Sequence, residues 1–81
     1  MADENFGINP AWIYRKSDEN TRRILGLGPT QIDEEIAKGN LPPPMELTPS
    51  GKAKGWLGSV LIQIQRERLA RAAAKQRARR R

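Results

Sequence analysis

The chain predicts a small, mainly α fold that carries one β-hairpin and ends in a basic C-terminal tail, helical or disordered. Three observations carry that expectation. Glycines bound two short segments of helical apolar spacing between residues 18 and 39. Strand-like alternation around a Thr-Pro-Ser-Gly turn follows at 45–56, and an apolar stripe at 57–64 then gives way to an arginine- and alanine-rich end. Eighty-one residues support one domain at most, with a core barely sufficient at that size.

Composition narrows the function classes before any motif is read. There is no Cys and no His, which removes disulfides, the usual zinc ligands and the commonest general base. A carboxylate-only enzyme needs a deep, dry pocket that so short a chain does not build. The expectation is a protein that is not an enzyme and holds no cofactor or metal. The longest apolar run falls far short of the ~20 residues that span a bilayer, and MADENFGINP is acidic where a signal peptide is basic and then apolar. The chain therefore reads as soluble and intracellular, with no membrane partner.

The net charge of +6 is unevenly laid out. Residues 66–81 hold Arg66, Arg68, Arg71, Lys75, Arg77, Arg79, Arg80 and Arg81 against Glu67 alone. Residues 1–65 carry seven basic and eight acidic side chains. A near-neutral body with a cationic end suits a polyanion, and clustered arginines favour phosphate because their forked donors match its oxygens.

Taken in order, residues 1–11 lack periodicity and read as a flexible arm. Trp12, Ile13 and Tyr14 are apolar and β-prone, so a short extended segment is expected, anchored by Trp12 or Tyr14. Ser17 or Asp18 caps a helix over about 18–25 that turns Thr21, Ile24 and Leu25 inward, and Gly26 stops it. Leu27 plugs the corner. Gly28 and Pro29 then open a second helix over about 29–38, whose buried stripe is Ile32 and Ile36 and whose end is Gly39. Two helices joined by a short Gly-containing turn form a helix-turn-helix pattern.

"MELTPSGKAKGW" reads as strand, turn, strand, with Met45 and Leu47 alternating and Trp56 tying the ribbon to the helices. Its tip carries Ser50, Lys52 and Lys54, the composition of a DNA-contacting wing. Leu57, Val60, Leu61 and Ile64 keep helical spacing and close the core from the other side. Beyond them, alanines sustain helix propensity among cations as far as the terminus. The organisation is thus an arm at 1–11, a winged helix-turn-helix domain at 12–69 and a basic tail at 70–81.

"LGLGPTQIDEEIAKGNLPPP", the hydrophilic hairpin and "GWLGSVLIQIQRERL" together resemble the AlpA-like and excisionase-like group of small MerR-type winged-helix proteins. The resemblance covers roughly residues 14–69. It implies a recombination directionality factor (excisionase) that binds repeated duplex-DNA sites near an attachment site. Such a factor bends the DNA, associates head-to-tail with neighbouring copies and directs an integrase toward excision. It implies a cytoplasmic, nucleoid-associated bacterial protein.

Carried over, the recognition helix contributes Pro29, Thr30, Gln31, Asp33, Glu34 and Lys38. Gln31 contacts adenine bidentately and Thr30 meets a thymine methyl or a phosphate. The wing contributes Ser50, Lys52 and Lys54, and the tail Arg66, Arg71, Lys75, Arg77, Arg79, Arg80 and Arg81.

The departure is the run Asp33-Glu34-Glu35, where relatives commonly place Arg, Lys or Tyr. At 100° per residue from Ile32, Glu35 lies ~60° away and is expected to pair with Arg22 or Arg23; Asp33 lies ~100° off and Glu34 ~160°, fully outward. An outward Glu accepts from cytosine N4, specifying a base while weakening general affinity. Two alternatives share part of the chemistry: a small AlpA-like transcriptional regulator of a mobile element, and a basic RNA-associated factor.

Overall fold

The computed structural model describes residues 5–79, with side chains through residue 77. Three helices and a three-stranded antiparallel sheet are formed among them. In chain order they are β1 (Ile13–Arg15), α1 (Glu19–Leu25), α2 (Pro29–Ala37), β2 (Met45–Glu46), β3 (Lys54–Leu57) and α3 (Gly58–Arg79). No helix among the described residues is long and apolar enough to cross a membrane.

Both short helices start and stop on the residues their sequences advertise. Asp18 caps α1, its carboxylate accepting from the Asn20 N–H at 3.1 Å. Gly26 ends it at φ 70°, a left-handed conformation costly for any residue with a side chain. Gly28 precedes Pro29 at the head of α2, and Gln31 closes the cap by accepting from the Gly28 N–H at 3.0 Å. Asn40 and Leu41 donate back to the Glu35 carbonyl, and Leu41 is buried.

The sheet contains one strand more than the hairpin. β3 lies in the middle, with β2 on one side and β1 on the other. Tyr14 stands opposite Trp56 and both are buried, whereas Ile13 stands opposite Leu57 and both are exposed. Tyr14 is therefore the anchor; Trp12 is 64% exposed. The Trp56 indole donates to the Pro42 carbonyl at 2.9 Å, fastening the sheet to the proline-rich link after α2. The turn forms as expected, with the Gly51 N–H on the Thr48 carbonyl.

Two expectations about the core are corrected. The return strand ends at Leu57 and the last helix starts at residue 58, as expected, but Leu57, expected to help close the core, lies on the outer side of the sheet opposite Ile13 of β1. Met45, also expected on the helix-facing side, shares that outer face opposite Gly55. Ile62 takes up core volume beside Leu61 and Ile64, with Val60 only partly buried.

The flexible arm is corrected as well. Ile8 is 2% exposed within the core, the Tyr14 hydroxyl accepts from the Asn9 N–H, and the Trp12 and Pro10 carbonyls accept from the first N–H groups of α3. Burying Ile8 and satisfying the head of α3 hold residues 8–12 in place. Residues 1–4 of the expected arm lie outside the described residues.

The tail is helical as far as it is described. α3 runs unbroken from Gly58 to Arg79, across the expected boundary at 69/70. Its alanines and arginines continue a helix that the core side chains have already nucleated.

Candidate nucleic-acid interface

The first turn of α2, the end of β1 and the β2–β3 turn enclose an open cleft of about 410 Å³. Four cations line it: Arg15 and Lys16 from the β1 end, Lys52 and Lys54 from the hairpin. Pro29, Ile32 and Asp33 form the α2 wall. Of the sequence-predicted helix and hairpin residues, Pro29, Asp33, Lys52 and Lys54 meet here, whereas Thr30, Gln31, Glu34, Lys38 and Ser50 do not line the cleft. Arg15 and Lys16 were not foreseen, because they join the site only when β1 pairs with β3 and the Lys16 N–H bonds the Lys54 carbonyl. The adjacent Arg15-Lys16 pair ahead of the α1 cap was the available signal.

The three carboxylates of α2 take three separate environments. Asp33, on the cleft side, forms an ion pair with Lys16. Glu34 is exposed and has no side-chain partner among the described residues. Glu35, on the opposite flank, accepts from the Asn40 amide at 2.9 Å.

This corrects the expected pairing of Glu35 with an α1 arginine. Arg22 donates to the Ser17 carbonyl and Arg23 pairs with Glu19, and neither pairs with Glu35. Thr30 and Glu34 on α2 and Lys38 at its C-cap, spaced four apart, form an outward stripe, and all are exposed.

Gln31 takes part in the cap of α2. Its carbonyl oxygen is engaged by the Gly28 N–H, leaving the amide N–H donors free. A bidentate contact to adenine, which needs both groups, would release the cap of α2.

Ser50 is exposed at the turn, where its hydroxyl meets that of Thr48 at 3.1 Å. The tail cations do not share one surface. Arg71 and Lys75 lie ~40° apart around α3, whereas Arg66 and Arg77 lie ~20° apart on the far side. All four are exposed. The Arg79 side chain, Arg80 and Arg81 lie outside the described residues.

Arg68 has a different task. Its guanidinium donates to the Leu25 carbonyl at 2.6 Å, and Gln65 donates to the Ile24 carbonyl at 2.9 Å. Together they satisfy carbonyls at the end of α1, where a cation also suits the helix dipole. α3 thereby holds the corner between α1 and α2. Arg68 and Arg71 also border a small recess with Glu35 and Asn40. α2 is accordingly flanked by cations from the sheet on its Asp33 side and from α3 on its Glu35 side, with the Thr30–Glu34–Lys38 stripe between them.

No protein family, curated protein or solved structure matches this chain.

Proposed function

We propose that the protein is a duplex-DNA-binding factor of the winged helix-turn-helix kind. In this reading α1 and α2 are the helix-turn-helix and the β2–β3 hairpin is the wing. The observation that carries it is the cleft in which Arg15, Lys16, Lys52 and Lys54 gather beside the first turn of α2. Four cations around a short helix with an exposed polar stripe suit a duplex. The cations neutralise phosphates on either side while the stripe meets base edges. Thr30 and the free amide of Gln31 then offer donors, Glu34 offers an acceptor for cytosine N4, and Lys38 reaches the backbone. The exposed cations of α3 extend phosphate contact beyond the domain.

The finer proposal is an excisionase-type recombination directionality factor, resting on the resemblance of the Gly-Leu-Gly, Lys-Gly-Asn-Leu-Pro and Gly-Trp elements. It acts from repeated sites by bending DNA and engaging an integrase and neighbouring copies of itself. The regulator alternative shares the DNA chemistry and differs in assembly.

Titrating labelled duplex DNA and RNA of equal length tests the first level, with duplex DNA expected to bind more tightly. Lys52→Ala and Lys54→Ala should each flatten the log–log salt slope by about 0.9 on every sequence. Equal or better binding of RNA would overturn the reading. For the second level, occupancy of one-site and three-site duplexes should be cooperative by a protein that is monomeric in light scattering. A stable two-fold dimer on a single palindrome would favour the regulator.

A further inference from the structure

Asp33 is the only carboxylate among the described residues that line the cleft, which it shares with Arg15, Lys16, Lys52 and Lys54. It pairs with Lys16 and its carboxylate makes no other hydrogen bond or ion pair among the described residues. It does not cap α2, since Gln31 closes the Gly28 N–H. The Asp33 side chain is 62% exposed and that of Lys16 33%. The pair is therefore held in water-accessible space, where such contacts contribute little and exchange readily.

We infer that Asp33 is an electrostatic gate on the phosphate-binding cleft, occupying Lys16 in the free protein and yielding it when a phosphate enters. The inference rests on the duplex-DNA reading and deepens it. When Lys16 turns to a phosphate its ion pair with Asp33 has to break, and that lost contact weakens the complex. The weakening acts on the backbone contact, so it applies to every sequence alike and leaves base preference to the outward stripe. The gate thus shortens non-specific residence on DNA. It also gives the acidic run on α2 a role that direct base reading does not.

The test is a double-mutant cycle on the full chain with Asp33→Asn, Lys16→Met and the double variant, probed with a mixed-sequence DNA duplex and with inorganic polyphosphate. Asp33→Asn should bind both probes about two- to fivefold more tightly, the range for releasing a cation from an exposed ion pair. In the Lys16→Met background most of that gain should vanish. Asp33→Ser, a second neutral variant, should repeat the result, and thermal melts should show each protein folded. An undiminished gain in the Lys16→Met background would mean that Asp33 simply repels phosphate, and would overturn the gate, as would no gain at all. A gain seen with polyphosphate by a protein that does not bind duplex DNA would uphold the gate and overturn the DNA reading.

Discussion

Of the three consecutive carboxylates on α2, each meets a partner set by its angle around the helix: Asp33 the Lys16 ammonium, Glu35 the Asn40 amide, Glu34 only solvent. That division makes their substitutions separable. Glu34→Ala should leave stability within about 0.5 kcal/mol, as surface changes without a partner do. It should nonetheless change binding, by removing an anion from the stripe proposed to face DNA. Glu35→Ala should instead cost stability, on the order of 0.5–1.5 kcal/mol for one hydrogen bond, because the chain leaves α2 through Asn40. Thermal melts alongside duplex titrations measure both. Identical behaviour of the two variants would remove the assignment of faces.

At the scale of elements, the N-terminal segment and α3 depend on each other through Gly58. A side-chain carbon added there would lie 1.8 Å from the Asn9 carbonyl oxygen and 2.7 Å from its carbon, both backbone atoms that cannot simply rotate away. Gly55 is similarly close to the Tyr14 carbonyl, at 2.5 Å. The absence of both side chains is what lets residues 9–15 lie flat on β3 and the head of α3. Gly58→Ala should destabilise by about 1–3 kcal/mol, as overpacking does. The loss should concentrate in the N-terminal segment. Hydrogen exchange should show early loss of protection at Tyr14, Asn9 and the first N–H groups of α3, with α2 less affected. Uniform loss across all three helices, or none, would contradict this coupling.

At the scale of the whole molecule, the last apolar core side chain of α3 is Ile64, yet the helix continues to Arg79. The cationic tail therefore leaves the body as a projecting helix. Removing residues 77–81 takes away four arginines and one alanine. The melt should stay where it is, while the salt slope for duplex binding should flatten by about 0.9 per lost phosphate contact, up to ~3.6 in all. Base preference should survive the truncation, since phosphate contacts carry no sequence information directly. An unchanged slope would take these arginines out of the interface, and a lost preference would give them a base-reading part.

The pieces legible from sequence are those decided within a few residues. The caps at Asp18, Gly26 and Gly28 satisfy or terminate backbone groups next to themselves, and the turn at Thr48–Gly51 is fixed by its own residues. The inward stripe of α1 and α2 follows from helical spacing alone, and so does the outward placement of Glu34. What the sequence left undecided are choices among distant partners. Ile8 offers no periodicity to read, and its burial appears only when its segment docks on α3. Leu57 fits the apolar stripe that closes the core, but pairing with β1 leaves it on the outer face of the sheet. Arg15 and Lys16 enter the candidate site through the same strand pairing, and Glu35 meets Asn40 while Arg22 and Arg23 bond to the Ser17 carbonyl and Glu19. Local hydrogen bonding and periodicity are properties of neighbouring residues, so the sequence determines them. The choice of one partner among several equally suitable ones depends on which groups folding brings together, and only the tertiary structure decided it.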